Sequence, residues 1–142
     1  MSKVEIVAFI FARSGSKGLK NKNIKKLLGK PLIAWSIEQA KSISNIKRVI
    51  VSTDSKKIAD ISKSYGAEVP FIRPKKLAKD DSPEWLSWRH ALNYLKKNEG
   101  KLPDIMISVP TTSPLRKKED IIKCIKLFNK GNVDSVITIT EA

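Results

Sequence analysis

A length of 142 residues and a hydrophobic content of 41% are enough for one globular domain with its own core. The formal net charge of +14 favours an anionic partner, such as nucleic acid, an anionic membrane or a phosphorylated small molecule, without choosing among them. A single cysteine excludes an internal disulfide and fits a reducing compartment, and no apolar run reaches the roughly 20 residues that span a bilayer, so we expect a cytoplasmic protein outside the membrane.

Apolar runs typical of buried strands alternate along the chain with segments of helical spacing. The predicted strands are residues 4–12, 48–52, 68–72, 105–109 and 135–140. The predicted helices are residues 31–42, 58–65, 83–98 and 119–129. This alternation predicts an α/β fold in which a parallel sheet carries helices on both faces.

Residue types that favour helix ends lie beside several of the predicted helices. Gly66 is expected to end the second helix, and Ser82 and Pro83 to form the N-cap and first turn of the third. Asp54 lies in the capping sequence Thr-Asp-Ser, so we interpret it as a helix N-cap in preference to a metal ligand. The last predicted strand ends near the C-terminus with nothing to cover it, so we expect the chain to be the N-terminal portion of a longer protein.

A basic, glycine-containing loop, residues 13–23, follows the first predicted strand. Ligands of open α/β sheets bind outside the carboxyl ends of the strands, which is where this loop falls. Gly15 and Gly18 permit unusual backbone angles and a close approach of the ligand, and successive backbone amides can form an anion-binding concavity. Arg13, Lys17 and Lys22 add full positive charges. The loop is therefore predicted to bind phosphate.

Neither of the two best-known phosphate-binding patterns fits this loop. A P-loop requires a glycine where Ile24 stands and a serine or threonine where Pro31 stands, and a dinucleotide fingerprint requires a glycine where Arg13 stands. On composition alone, a solvated lysine-rich connection between a strand and a helix remains an equal alternative.

Motifs in five blocks follow one another in a fixed order along the chain. They are residues 12–19 with 22–23 and 29–33, residues 51–54, residues 73–80, residues 90–92 and residues 112–116. Together they resemble the acylneuraminate cytidylyltransferases, the family that includes the CMP-sialic acid synthetases. The resemblance covers essentially the whole chain. It implies that residues 1–142 are a nucleotide-binding domain, C-terminally incomplete, with the Rossmann-like three-layer α/β/α sandwich and mostly parallel sheet of the nucleotide-diphospho-sugar transferases.

Members of that family transfer CMP from CTP to the anomeric hydroxyl of an acidic keto-sugar and release pyrophosphate. The resemblance therefore implies CTP and a sialic acid-like sugar as partners. It also implies Mg²⁺ as cofactor, although it identifies no metal ligand in this chain. A dimerisation arm belongs to the family's later segment, so a homodimer is compatible with the resemblance.

The family's site residues are carried onto this chain position by position. Three cations, Arg13, Lys17 and Lys22, are implied to act in catalysis by neutralising the CTP phosphates. The implied nucleotide-binding set is Ala12, Arg13, Ser14, Gly15, Ser16, Lys17, Gly18, Lys22, Asn23, Arg73, Asp80 and Ser82. The implied sugar cleft is formed by Thr112, Ser113, Pro114 and Arg116.

Two departures from the family pattern affect what the resemblance implies. Where many sialic acid enzymes read L-Q-P-T-S-P-L-R, this chain reads V-P-T-T-S-P-L-R, so Pro110 replaces a glutamine associated with the sugar cleft and the identity of the sugar stays open. The family's later segment, with acceptor-binding residues and an aspartate pair linked to the metal, is absent from these 142 residues. A non-catalytic nucleotide-binding remnant therefore remains an alternative.

Other conspicuous residues have simpler interpretations. His90 is the only histidine, and its place on a helix favours a structural role over that of a general base. Trp85 and Trp88 favour core or interface positions over base stacking, and Cys124 favours a buried, inert thiol. A basic nucleic-acid-binding module is a further alternative, although no recognition helix, RRM or zinc signature supports it.

Overall fold

The structure, a computed structural model, describes residues 3–139 and has the predicted alternation of strands and helices. Its strands are β1 (Ile6–Phe11), β2 (Lys26–Leu27), β3 (Lys30–Pro31), β4 (Ile46–Ser52) and β5 (Ile105–Ser108). Its α-helices are α1 (Leu32–Lys41), α2 (Lys56–Ser64), α3 (Glu84–Glu99) and α4 (Lys118–Asn129). Short 3₁₀ turns occupy Lys22–Ile24 and Lys75–Leu77.

The central strand of the main sheet is β1, which pairs in parallel with β4 on one side and β5 on the other. Its apolar run predicted burial on both faces, and this is confirmed, because residues 7–10 are fully buried. Ala8 and Ile10 pack in one core cluster, whereas Val7 and Phe9 pack in another on the opposite face.

Helices cover both faces of this sheet. The larger core cluster includes Ile33 and Ile37 of α1, Ile58 of α2 and Ile125 of α4. The smaller cluster includes Ala91 and Leu95 of α3, on the other face. The predicted parallel sheet with a helical layer on each side is therefore confirmed. Within residues 3–139, no helix combines the length and apolar character that crossing a membrane requires.

The predicted strand at residues 68–72 is wrong. Only Glu68 joins the sheet, through a single parallel bridge to Ile50. Pro70 has no backbone N–H to continue the ladder. The ring of Phe71 instead packs against Tyr94 of α3, with ring centroids 4.9 Å apart. The apolar residues of the segment therefore do not share one surface, since Val69 packs against the larger core cluster, Phe71 packs against α3 and Ile72 is exposed.

The predicted strand at residues 135–140 is also wrong over its described part, residues 135–139. No described strand pairs with this segment, and Ile137 and Ile139 are 80% and 86% exposed. The apolar pattern predicted burial, but burial requires a neighbouring surface that residues 3–139 do not place against it. Residue 140 lies outside the described residues.

Candidate functional site

The basic loop after β1 is attached to the end of β4. Ser14 donates from its backbone N to Asp54 Oδ1 at 2.8 Å and from its hydroxyl to Asp54 Oδ2 at 2.6 Å. The prediction that Asp54 is a helix N-cap is therefore wrong. Ser55 is the N-cap of α2, since its hydroxyl accepts the backbone N–H of Ile58 at 3.3 Å. Asp54 instead holds the loop to the neighbouring strand.

The same loop is attached on its other side to the segment that follows β5. The side-chain amide of Asn23 donates to the Arg13 carbonyl at 3.1 Å, and its oxygen accepts the Thr111 hydroxyl at 2.7 Å. Asn23 and Thr111 are only 7% and 5% exposed. Because buried polar groups are costly when unpaired, these bonds define which way the Asn23 amide points.

A cavity of about 420 Å³ opens between these loops at the carboxyl ends of β1 and β5. Its lining includes nine of the residues implied by the resemblance, namely Arg13, Gly15, Ser16, Lys22, Asn23, Arg73, Asp80, Ser82 and Thr112. The remaining lining residues are Phe11, Leu77, Lys79, Glu84, Ser87, Ser108, Pro110 and Thr111. Four of the lining side chains are cationic and two are acidic, so the cavity is suited to an anionic ligand.

Arg73 lies at the buried wall of this cavity and is only 5% exposed. Its guanidinium donates to the Ser87 hydroxyl at 2.7 Å and to the Ser52 carbonyl at 3.3 Å. Burial lowers the pKa of Arg73, and the Asp54 carboxylate opposes that shift. Within residues 3–139, Nε of Arg73 has no hydrogen-bond acceptor and no carboxylate forms an ion pair with the guanidinium. The side chain therefore retains donor capacity and positive charge at the cavity wall.

Arg13 and Asp80 form an ion pair between two walls of the cavity. Ser82, beyond Asp80, stabilises its own loop, because its hydroxyl donates to the Lys76 carbonyl at 2.9 Å and accepts the backbone N–H of Lys79 at 3.2 Å. The prediction that Ser82 caps the next helix is wrong. The N-cap of α3 is Pro83, and the helix begins at Glu84.

Comparison with known proteins assigns the chain to a family. Residues 7–141 match the family model described as cytidylyltransferase. The chain belongs to the cytidylyltransferase family. This membership confirms the resemblance drawn from the motifs. The basic loop after β1 and all residues that line the cavity lie within the matched range.

Curated relatives match nearly all of the chain. It is 41% identical over 138 residues to post-translational flagellin modification protein B of Campylobacter coli, covering 97% of this chain and 59% of that protein. It is 40% identical over 141 residues to N-acylneuraminate cytidylyltransferase of Escherichia coli (99% and 32%). It is 38% identical over 137 residues to CMP-N,N'-diacetyllegionaminic acid synthase of Legionella pneumophila (96% and 58%). The chain thus spans less than two thirds of the length of each.

Solved structures share the fold. A CMP:2-keto-3-deoxy-manno-octonic acid synthetase complexed with CTP superposes with a TM-score of 0.74 at 21% identity, covering 89% of this chain and 48% of that one. A 4-diphosphocytidyl-2C-methyl-D-erythritol synthase superposes with a TM-score of 0.70 at 11% identity, covering 100% and 66%. At these identities the likeness shows the fold, which is the predicted nucleotidyltransferase type.

The rest of the implied nucleotide-binding set does not line the cavity of this cytidylyltransferase chain. Ala12 is fully buried and donates its N–H to the Ser52 carbonyl at 2.9 Å, and Ser14 binds Asp54. Lys17 and Gly18 are exposed on the outer part of the loop. Neither Gly15 nor Gly18 has a positive φ, and both leave space for a Cβ atom, so the freedom that glycine permits at these positions is not used by the backbone angles of the structure.

The four residues of the implied sugar cleft lie in two places. Thr112 lines the cavity, whereas Pro114 and Arg116 line a separate surface groove beside Trp35 of α1, and Ser113 is exposed between them. Nη1 of Arg116 donates to Gln39 Oε1 at 3.0 Å, and burial lowers the Arg116 pKa.

A magnesium site is not formed by the described residues alone. No group of three or more histidine, cysteine, aspartate or glutamate side chains is positioned among residues 3–139 to hold a metal ion. The two acidic groups nearest the loop are already engaged, Asp54 by Ser14 and Asp80 by Arg13. These residues therefore do not fit a metal site assembled by the chain itself.

The other conspicuous residues lie outside the cavity lining. His90 meets the edge of Phe71 at a centroid distance of 4.9 Å, and burial followed by the charge of Arg73 lowers its pKa. This packing fits the structural role expected for the only histidine. Trp85 and Trp88 are exposed, which excludes a core position for them, while the alternative of an interface position stays a prediction. Cys124 is half-buried rather than buried.

Sequence reasoning missed several residues of the cavity wall. Glu84 and Ser87 lie in α3, where helical spacing alone gave no reason to select them. Leu77 and Lys79 lie in the loop before α3, within the motif block of residues 73–80, but no site role was predicted for them. Thr111 did carry a signal, because it stands where the family pattern has a proline and a proline has no hydroxyl to donate.

Proposed function

We propose that the protein transfers CMP from CTP to the anomeric hydroxyl of an acidic keto-sugar and releases pyrophosphate. The observation that carries this proposal is a cation-lined cavity at the carboxyl end of β1, within a chain of the cytidylyltransferase family. Three of its relatives are named as an N-acylneuraminate cytidylyltransferase, a CMP-N,N'-diacetyllegionaminic acid synthase and a pseudaminic acid cytidylyltransferase. Because the chain spans only part of those relatives, the complete reaction remains a proposal.

The triphosphate is proposed to lie against the loop after β1. Attack on the α-phosphate builds negative charge on the phosphoryl oxygens and on the departing pyrophosphate, and fixed cations stabilise that charge. Arg13 and Lys22 line the cavity, which supports this role for them. Lys17 is exposed on the same loop, and its long side chain would have to turn towards the phosphates.

The cytidine is proposed to lie towards Arg73, Asp80 and Ser82. Arg73 has donor capacity left over from its bonds to Ser87 and Ser52, and a cytosine offers acceptors for it. Asn23 would contact the nucleotide from the other wall, in the orientation set by Thr111.

The sugar is proposed to approach from the side of Thr112. Pro110, which replaces the family's glutamine, lines the same cavity, so the sugar-facing wall of this chain differs in its hydrogen-bonding groups from that of the sialic acid enzymes. Ser113, Pro114 and Arg116 remain proposed sugar-cleft residues, although Pro114 and Arg116 lie in the neighbouring groove and would have to act through the shape of the cleft.

Magnesium is proposed to accompany the triphosphate, where it would neutralise phosphate charge. The described residues do not form a site for it, so no step of the reaction is assigned to a metal held by this chain. A cytoplasmic location and a homodimer also remain proposals, supported by the single cysteine and by the resemblance respectively.

A titration of the chain with CTP, GTP and an RNA oligomer, each with Mg²⁺ and at two salt concentrations, tests the proposal. Preferential binding of CTP that survives moderate salt supports a cytidylyltransferase. Equal binding of all three that collapses steeply with salt would instead support the nucleic-acid-binding alternative.

Turnover separates the enzyme from a non-catalytic remnant. Pyrophosphate release is measured with CTP and, in separate reactions, with an N-acylneuraminic acid, N,N'-diacetyllegionaminic acid and pseudaminic acid. Release that depends on one of these sugar acids supports the transfer reaction and identifies the acceptor. Selective CTP binding without release from any sugar acid would contradict the transfer reaction for this chain and favour the remnant.

A further inference from the structure

The ion pair between Arg13 and Asp80 joins the loop after β1 to the loop before α3. Both residues line the cavity, and their side chains are 32% and 44% exposed. Arg13 is also one of the cations proposed to bind the triphosphate. A carboxylate of the protein therefore occupies a donor of Arg13 that a phosphate would need.

The backbones on both sides of this ion pair are held in place by other bonds. The Arg13 carbonyl accepts from Asn23, and the next residue, Ser14, is attached to Asp54. Across the cavity, the loop that carries Asp80 is closed by the Ser82 hydroxyl. The change that frees the Arg13 guanidinium with least disruption is thus a rotation of side chains rather than a movement of either loop.

We propose that Asp80 competes with phosphate for Arg13 and thereby weakens the binding of pyrophosphate, which favours its release after transfer. This inference rests on the proposed function, because it takes the cavity to be the triphosphate site. Carboxylate and phosphate oxygens accept the same guanidinium donors, so only one of them occupies a given pair of N–H groups. A partly exposed ion pair is weakly stabilising, so a polyphosphate displaces it, while the displaced carboxylate still repels the bound anion.

The role proposed for Asp80 differs from that of a nucleotide ligand. A ligand residue strengthens binding, and its removal weakens binding. A competing residue does the opposite, so removal of its charge strengthens binding. The sign of the change therefore separates the two roles.

Titration calorimetry with inorganic pyrophosphate in metal-free buffer measures this sign without requiring turnover. Asp80→Asn is compared with Asp81→Asn, which makes the same change of net charge at the exposed adjacent residue. We expect Asp80→Asn to bind pyrophosphate about threefold to tenfold more tightly than wild type, the range expected for losing an exposed ion pair and a nearby like charge. Asp81→Asn is expected to stay within about twofold of wild type, because its charge is screened by solvent.

Two further variants show whether the effect passes through Arg13. In an Arg13→Ala background, Asp80→Asn should lose the part of its advantage that comes from competition for Arg13 and keep only the smaller part that comes from removing a nearby like charge. Thermal unfolding of each variant checks that folding is retained. Equal or weaker pyrophosphate binding by Asp80→Asn relative to Asp81→Asn would overturn the proposal, as would an undiminished advantage without Arg13.

Failure of this inference is distinguishable from failure of the proposed function. The preference of the wild-type chain for CTP over GTP tests the function and does not involve Asp80 variants. Wild-type selectivity for CTP combined with unchanged pyrophosphate affinity in Asp80→Asn would leave the function standing and refute the competition. Absence of a preference for CTP over GTP in the wild-type chain would refute the proposed function itself.

Discussion

Replacing Thr111 with valine removes one hydroxyl group from the contact between the loops that follow β1 and β5. The two side chains have nearly the same shape, so the change deletes the 2.7 Å bond to Asn23 without opening a cavity. Asn23 Oδ1 is then left buried without the Thr111 donor. Since the nitrogen of the same amide donates to the Arg13 carbonyl, the basic loop after β1 is expected to become less fixed in position as well.

The expected loss of stability can be estimated from the burial of the Asn23 and Thr111 side chains. Both partners are at most 7% exposed, so water replaces the missing donor poorly. Leaving one buried acceptor unsatisfied costs about 1–3 kcal/mol, and we expect the free energy of unfolding to fall by that amount. We also expect CTP affinity to fall about threefold to tenfold, because part of this energy held the loop in its binding conformation.

Urea unfolding followed by circular dichroism measures the first quantity, and CTP titration measures the second. Thr112→Val is the matched control for stability, because it makes the same chemical change at the exposed next residue and should alter the free energy of unfolding by no more than about 0.5 kcal/mol. Thr111→Ser retains the hydroxyl and should keep most of the CTP affinity.

Two results would refute this reasoning. If Thr111→Val and Thr112→Val lose equal stability, the buried hydrogen bond does not contribute as the geometry indicates. If Thr111→Ser loses as much CTP affinity as Thr111→Val, the hydroxyl does not position Asn23.

Three further changes test the phosphate loop, an ion pair and a turn. Lys22→Ala should weaken CTP binding by about fivefold or more in a titration, whereas Lys96→Ala on the exposed face of α3 should leave it unchanged. The hydrogen bond from Arg48 lowers the pKa of Glu99 below its ordinary 4.5, so the stability from this pair is present above pH 4.5 and is lost as the pH falls through the lowered pKa. In acid unfolding curves, Glu99→Gln should therefore reduce the decrease in the free energy of unfolding over that pH range. Gly66→Ala should lower the free energy of unfolding by about 1 kcal/mol or more, because φ is +90° there.

The sequence predicted the elements whose burial is decided locally. The run at residues 4–12 is apolar on both alternating faces, and it forms the central strand β1. Gly66 was expected to end the second helix, and α2 ends just before it, with Gly66 at positive φ. At these positions the spacing of apolar residues and the conformational preference of glycine were enough to predict the structure, because few other conformations are compatible with them.

The predicted strands at residues 68–72 and 135–139 show where local pattern stops being sufficient. Both segments are apolar, and the spacing of their apolar residues does not determine which surface of the protein they pack against. The first meets α3 through Phe71, and the second meets no described strand. Strand formation needs a partner at the right distance, which is a property of the assembled sheet rather than of the segment.

The amino-acid sequence by itself determined the α/β class and the family to which the motifs belong, and it predicted that the loop after the first strand binds phosphate. The tertiary structure decided which side chains meet across that loop. Ser14 with Asp54, Arg13 with Asp80, and Thr111 with Asn23 are separated by 40, 67 and 88 residues along the chain. The first and third pairs become neighbours because parallel pairing brings the carboxyl ends of β1, β4 and β5 to one edge of the sheet. Asp80 reaches the same edge through the loop before α3, which is attached beside β4 by the bond from Arg73 N to the Thr53 carbonyl. No local pattern encodes these meetings.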